Sequence, residues 1–173
     1  MKREATFFFP AIFVFVFCSV SVCAQIRISA VVVGVTDGDT VTAIDSNNRQ
    51  IKVRLAGIDA PESRQDFGTR SKQNLSDLVY GKPVVLEGDK TDRNGRLVAK
   101  ILLNGVDVNL EQIKAGLAWH FKRYELEQSH ADRKIYAAAE RDARNNKLSI
   151  WSEPEPVAPW DFRRNPTAPL NRS

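Results

Sequence analysis

Five short runs of β-branched and aliphatic residues, separated by turn signals, limit most strongly what this chain can fold into. The run from Gln50 to Leu55 alternates apolar and polar side chains, which is typical of a strand with one buried face. Asp37-Gly38 and Asn104-Gly105 are turn signals at the ends of two other runs. The predicted strands cover residues 31–35, 40–44, 50–55, 84–86 and 97–103.

Three helices are predicted around these strands. The first covers 69–80, the second is short and capped by Asp107, and the third covers 125–147, with an apolar stripe that includes Ile135 and Ala139. Five short strands with helices at one side predict an α+β (mainly β) fold. The expected architecture is a five-stranded OB-fold Greek-key barrel with three helices, a type of barrel whose open face often holds oligonucleotides.

The N-terminal residues 1–24 are predicted to be a signal peptide. A short basic start precedes an eleven-residue apolar run at 7–17, which is shorter than the ~20 residues of a membrane span. Residues 22–24 then predict cleavage before Gln25. We therefore expect an exported protein, periplasmic or secreted, with no membrane attachment after cleavage. An uncleaved anchor and a lipid on Cys23 are the alternatives.

Both cysteines fall inside this leader, so the mature chain has no thiol. That excludes a disulfide framework, a cysteine nucleophile and a cysteine-ligated zinc site. Residues 25–153 are long enough for one core, and a monomer is predicted because nothing indicates an obligate interface. The proline-rich residues 154–173 are predicted to be an extended or disordered tail. A formal net charge of +4 is compatible with a polyanionic partner without requiring one.

Two segments concentrate acidic residues next to predicted strands. Asp39 follows a tight turn, while Asp59 and Glu62 flank a proline just after a strand that ends with Arg54 and Leu55. Carboxylates are the ligands that calcium and magnesium prefer, and neighbouring acids need a cation or an arginine to compensate them. We expect Asp39 and Asp59 to hold a metal and Glu62 to remain free for proton abstraction. A simple hairpin turn and a solvated strand face are the alternatives.

A basic loop lies between the fourth and fifth predicted strands. Lys90, Arg93 and Arg96 supply three cations in seven residues, more than a hairpin turn alone requires. A guanidinium fork suits the extra negative charge of a phosphodiester transition state better than an ammonium does. The loop therefore predicts phosphate recognition.

The order of these motifs resembles staphylococcal (micrococcal) nuclease and its thermonuclease relatives, over about residues 29–153. RLxxxDxPE and TDxxGR in that order are the specific signals. The matching stretches are DGDT (37–40), RLxxxDxPE (54–62), TDxxGR (91–96), VN (108–109), GLA (116–118) and IWSE (150–153).

The resemblance implies a calcium-dependent nuclease domain over residues 25–153. Asp39, Asp59 and the backbone carbonyl of Ala60 look like the ligands of the calcium ion (Ca2+). Glu62 matches the glutamate usually assigned as general base, and the two arginines that match the phosphate-binding pair are Arg54 and Arg96.

The same resemblance implies DNA and RNA substrates, cut at the P–O5′ bond to leave 3′-phosphate and 5′-hydroxyl ends. Where the best-known members carry a tyrosine, this chain has Asn94, so the nearby aromatics Phe121 and Tyr124 are expected to supply part of the base-stacking face. Arg93 and Lys90 are expected to contact further phosphates. An OB-fold module that binds nucleic acid without cutting it is the alternative.

Overall fold

A computed structural model of the protein describes residues 26–165. The expected signal peptide, with both cysteines, lies outside the described residues, as do residues 166–173 of the expected tail. Within 26–165, no helix is both long enough and apolar enough to span a bilayer.

Eight strands form two sheets in this part of the chain. Two of the strands, β4 and β8, pair only with each other. The strands are β1 (Arg27–Asp37), β2 (Thr40–Asp45), β3 (Gln50–Leu55), β4 (Ile58–Asp59), β5 (Pro83–Thr91), β6 (Leu97–Leu103), β7 (Val106–Asp107) and β8 (Trp119–His120).

The larger sheet closes into a barrel, which confirms the predicted architecture. Its strands pair in the order β3-β2-β1-β5-β6, and a parallel pairing between β3 and β6 joins the two edges. Irregular register along β1, between Val32 and Gly34 and between Val35 and Asp37, marks bulges that bend this long strand. β1 pairs with β2 from Ala30 to Asp37 on one side and with β5 from Arg27 to Val31 on the other.

Four α-helices and two short 3-10 helices accompany the barrel within the described residues. Asp107 caps the second α-helix as predicted, because its carboxylate accepts a hydrogen bond from the amide of Leu110 at 3.0 Å. The helices are α1 (Gly68–Val79), α2 (Val108–Lys114), α3 (His130–Asn145) and α4 (Pro159–Arg164), with 3-10 turns at Lys122–Glu127 and Ser149–Ser152.

The prediction of one helix over 125–147 is wrong at its start. Helix α3 begins at His130, where the Ser129 hydroxyl accepts a hydrogen bond from the amide of Asp132. Its predicted apolar stripe is also only partly right: Ala139 is buried but Ile135 is 49% exposed. The helix turns Tyr136 inward instead.

Polar partners explain that rotation of α3. The Tyr136 hydroxyl donates to the Asp107 carboxylate at 2.9 Å, and Glu140 accepts from the backbone amide of His120 at 3.1 Å. Both side chains are buried, so their hydrogen bonds define the inner face of the helix as much as the alanines do.

The predicted disordered tail is wrong over residues 159–164, which form α4. Pro159 occupies the start of the helix, a position where the missing amide hydrogen costs nothing. Phe162 and Ala158 are buried against the rest of the protein. This part of the predicted tail is therefore a helix packed against the rest of the protein.

The core fills the barrel with side chains that alternate inward along the strands. Val32, Val41, Val53, Leu86 and Ile101 are fully buried there. Burial of each such side chain contributes about 1.5–3 kcal/mol relative to exposure. These residues account for the predicted period-two pattern and leave the polar strand ends to build a site.

Asn109 is a buried polar residue that joins α2 to the barrel. Its side-chain oxygen accepts from the amide of Ile101 at 3.1 Å, and its amide group donates to the carbonyls of Ala56 and Ala99 at 3.0 and 3.2 Å. Ala56 begins the loop that leads from β3 to β4. Asn109 thus fixes the loop that leads into Asp59 on β4, after which Glu62 follows.

Asn109→Ala is expected to lower the free energy of unfolding by about 2–3 kcal/mol, because three backbone groups lose their buried partner. Urea unfolding monitored by tryptophan fluorescence measures the loss. Asn145→Ala is the matched control: this side chain is exposed on α3, and its removal should change stability by less than about 0.5 kcal/mol. Equal stability of the two variants would contradict this role of Asn109.

Candidate active site

Asp39 lies in the two-residue turn between β1 and β2, which is packed too tightly for a side chain at Gly38. A Cβ atom there would come within 1.8 Å of the Ser71 hydroxyl and 2.8 Å of the Ala60 side chain. Gln112 of α2 donates to the Gly38 carbonyl at 2.7 Å. Two helices therefore hold this turn in place in addition to its own strands.

The Asp39 carboxylate is buried and fully engaged. One oxygen accepts from the Ala60 amide at 2.7 Å and from Nη1 of Arg54 at 2.8 Å, and the other accepts from the Thr40 hydroxyl at 3.0 Å. Burial raises the pKa of Asp39 to about 7, against the attraction of Arg54, which lowers it. The carbonyl of Ala60 stays a predicted metal ligand.

Arg54 joins Asp39 to the second predicted metal ligand. It lies near the end of β3 opposite Thr40, and its Nη2 donates to Asp59 Oδ1 at 2.7 Å. Asp59 is wholly buried on β4, while the Arg54 side chain is 14% exposed. One guanidinium is therefore shared by two buried carboxylates, and the structure brings these three residues together.

Glu62 lies on the loop that follows β4, at the edge of the buried pair. Its side chain is 37% exposed, so its carboxylate reaches solvent. Its backbone amide donates to Oε1 of Gln65 at 2.9 Å, and Nε2 of the same Gln65 donates to the Val157 carbonyl at 3.0 Å. The loop is thus tied to the C-terminal segment.

Arg163 of α4 also reaches this site, and the sequence analysis missed it. Its Nη2 donates to Asp59 Oδ2 at 2.7 Å, and its Nη1 donates to Glu62 Oε1 at 2.7 Å. Although burial opposes protonation, these hydrogen bonds raise the pKa of Arg163, so the guanidinium is charged. The available signal was a helix-starting proline followed by Trp160 and Phe162, which we interpreted as part of a disordered tail.

Arg96 approaches the same site from the hairpin between β5 and β6. Asp92 accepts from the Arg96 amide at 3.0 Å and from its Nε at 2.8 Å, which fixes both the loop and the side chain. Although burial opposes the effect, these hydrogen bonds hold the pKa of Asp92 below its ordinary value. Nη1 of Arg96 contacts the Thr40 hydroxyl at 3.5 Å, one hydrogen bond away from Asp39.

The buried acids, a solvent-accessible carboxylate and three arginines constitute a phosphodiesterase-like arrangement. Comparison with known proteins agrees: the profile of staphylococcal nuclease homologues matches residues 52–153, which carry Arg54, Asp59, Glu62 and Arg96. The chain belongs to the staphylococcal nuclease family. As a member of it, the chain is a nuclease, an enzyme that hydrolyses nucleic acid.

Relatives in several bacteria extend the match beyond that domain. A Haemophilus influenzae protein named uncharacterized endonuclease is 40% identical over 149 residues, which is 86% of this chain and 80% of the relative. An Escherichia coli O157:H7 protein of the same name is 35% identical over 86% of this chain and 92% of its own length. A Shigella flexneri protein named micrococcal nuclease is 36% identical over 84% of this chain and 86% of its own length.

Two of the remaining predicted substrate residues of the nuclease, Lys90 and Tyr124, lie next to each other. Lys90 lies 5.8 Å from the centre of the Tyr124 ring and pairs with Glu127 at 2.5 Å. Tyr124 is 46% exposed and has the guanidinium of Arg123 over its ring at 5.9 Å. Arg93 is exposed at the hairpin tip. Their contact with nucleotides stays a prediction.

Asp92→Ala is expected to lower kcat on the order of 10²-fold, because Arg96 loses the carboxylate that positions its guanidinium. Asp45→Ala is the matched control. Asp45 accepts from the amide of Arg49 at 3.0 Å and from its Nε at 2.8 Å, the same arrangement on another turn. That turn lies at the far end of β2, about 16 Å from Thr40 at ~3.3 Å per residue. Steady-state cleavage assays should show a loss of kcat only in Asp92→Ala. Equal losses of kcat in the two variants would contradict this role of Asp92.

The raised pKa of Asp39 predicts a pH-dependent stability in a chelator. Burial is the main cause that raises the pKa of Asp39 from 3.8 to about 7; Arg54 lowers this pKa, and Asp37 and Asp59 raise it. Because the folded protein holds the Asp39 proton more tightly than the unfolded chain does, the protonated side chain stabilises the fold. This contribution to stability is complete below pH 3.8 and is lost as the pH rises through about 7, at no more than ~1.4 kcal/mol per pH unit. Asp39→Asn does not titrate and should gain stability relative to wild type across that window. Urea unfolding of both proteins from about pH 4 to pH 8 measures this difference in stability. Parallel plots of the free energy of unfolding against pH would contradict the raised pKa of Asp39.

Proposed function

We propose that this nuclease is calcium-dependent and hydrolyses the phosphodiester bonds of DNA and RNA, leaving 3′-phosphate and 5′-hydroxyl ends. The observation that carries the proposal is the pair of buried carboxylates, Asp39 and Asp59, held 2.8 and 2.7 Å from one guanidinium and followed at once by Glu62. Two buried acids of this kind favour a bound cation, because like charges at close range are costly in a low dielectric.

The donor atoms fit calcium. Only oxygen ligands are offered, two carboxylates with backbone carbonyls nearby, and Ca2+ prefers oxygen. Among residues 26–165, no group of three or more His, Cys, Asp or Glu side chains is arranged to hold a metal. The protein would thus supply Asp39 and Asp59, with Ala60 as the predicted carbonyl ligand, and leave positions for water and a phosphate oxygen. When bound, Ca2+ neutralises negative charge on the phosphate.

Glu62 is suited to take a proton from the attacking water. Its carboxylate is exposed enough to meet solvent, while Gln65 holds its backbone in place. Water attacks phosphorus, the P–O5′ bond breaks, and the leaving O5′ takes up a proton. A positioned base contributes typically 10²–10⁴-fold to such a step.

Arg54 and Arg96 are proposed to bind the scissile phosphate. Arg54 lies beside the buried acids, with Nη1 on Asp39 and Nη2 on Asp59. Arg96 reaches the same site through Thr40. Donors that act on developing charge contribute about 3–4 kcal/mol each in a desolvated site. Lys90, Arg93 and Tyr124 would hold flanking nucleotides, with Tyr124 supplying a face for base stacking.

The proposed setting follows the N-terminal sequence. We propose that the protein is exported, periplasmic or secreted, and acts as a monomer. The support is the apolar leader at 7–17 and the lack of cysteine in residues 25–173.

Glu62→Gln is expected to lower kcat by about 10²–10⁴-fold while leaving binding of an oligonucleotide in calcium nearly unchanged. Glu111→Gln is the matched control, since Glu111 has a similar side-chain exposure, 34% against 37%, and pairs with Lys114 at the same 2.7 Å distance. Cleavage of labelled DNA and RNA should stop when calcium is chelated. Product ends should accept phosphate from polynucleotide kinase without prior phosphatase treatment.

Three outcomes would contradict the proposed function. Full cleavage by wild type in excess chelator would remove the calcium requirement. Products that need phosphatase before labelling would reverse the assignment of the ends. Equal activity of Glu62→Gln and Glu111→Gln would exclude Glu62 as the base.

A further inference from the structure

The C-terminal helix α4 places a cation on the acids that the proposed function assigns to calcium and to proton transfer. Arg163 donates to both oxygens of Asp59, at 3.2 and 2.7 Å, and to Glu62 at 2.7 Å. One side chain therefore engages a proposed metal ligand and the proposed base at the same time. Its own exposure is 44%, so the guanidinium covers the site from the solvent side.

Aromatic packing anchors α4 independently of Arg163. The Trp160 ring stacks on Phe121 with centroids 5.4 Å apart and meets Trp119 edge-on at 6.4 Å. Phe162 is buried on the same helix. The position of Arg163 is thus set by apolar contacts, and its guanidinium can leave the carboxylates without undocking the helix.

A hydrogen-bonded glutamine joins this segment to the loop of Glu62. Gln65 contacts the Glu62 amide with its oxygen and the Val157 carbonyl with its nitrogen. Helix α4 itself lies beyond residues 52–153, the segment that the family profile matches. The contact of Arg163 with the acids therefore joins residues inside that segment to a residue outside it.

We infer that Arg163 is a built-in competitor of the divalent cation, which must displace this guanidinium from Asp59 and Glu62 before the site can work. The inference rests on the proposed calcium requirement. All the donors that Arg163 directs into the site point at carboxylates. A cation at Asp39 and Asp59 takes over the charge compensation, and the released Glu62 is then free to accept a proton.

Calcium titration by isothermal calorimetry tests the competition directly. Arg163→Ala is expected to bind calcium roughly three- to tenfold more tightly than wild type, because one competing ion pair is lost on each carboxylate. Arg164→Ala is the matched control: it removes the same charge from the same helix, but Arg164 pairs only with the exposed Asp161, at 3.7 Å. Its calcium affinity should equal that of wild type.

Cleavage kinetics at two calcium concentrations provide the second readout. Arg163→Ala should cut faster than wild type at subsaturating calcium and at the same rate, with the same KM for DNA, at saturating calcium. Arg163→Gln, which keeps most of the side-chain volume, should behave like Arg163→Ala. Thermal unfolding of each variant establishes that α4 packing survives.

Each alternative outcome has a distinct meaning. Equal or weaker calcium affinity in Arg163→Ala overturns the competition and leaves the proposed function intact. A higher KM for DNA at saturating calcium overturns it as well, because Arg163 would then be a substrate ligand. Absence of calcium binding in every variant overturns the proposed metal requirement and the competition with it.

Discussion

One guanidinium shared by two buried carboxylates is the interaction on which the rest of the site depends. Asp39 and Asp59 come from a tight turn and from the short strand β4, and Arg54 bridges them from the end of β3. Two buried acids without that bridge would repel each other in a low dielectric, and removing one partner of such a buried pair typically costs about 3–5 kcal/mol. The barrel, the turn and β4 must therefore all be in place for the site to exist.

Much of this arrangement could be predicted from the sequence because its signals are local. Apolar alternation along β3 and the turn residues after β1 indicate strands and their ends, and the side chains at those ends are Asp39 and Arg54. A barrel brings its strand ends together at one rim. The acids and arginines of the short motifs consequently converge without any further information.

The C-terminal part of the site could not be predicted in this way. Arg163 and Glu62 lie 101 positions apart, and no periodicity links them. Proline content favoured disorder, yet buried Phe162 and the stacked Trp160 anchor the segment. The inner face of α3 has a similar origin, because tertiary hydrogen bonds to Tyr136 and Glu140 decide which face is buried.

Barrel closure also determines when the site is assembled as the chain folds. In the parallel pairing of β3 with β6, Arg54 lies opposite Val98, far away in the sequence. Contacts between such distant segments form late, because the entropy of loop closure is lost before they become stabilising. Until β3 and β6 pair, nothing in the barrel holds Arg54 and Arg96 near each other. An incompletely folded copy of this enzyme therefore lacks the assembled pair of arginines that we propose for phosphate binding.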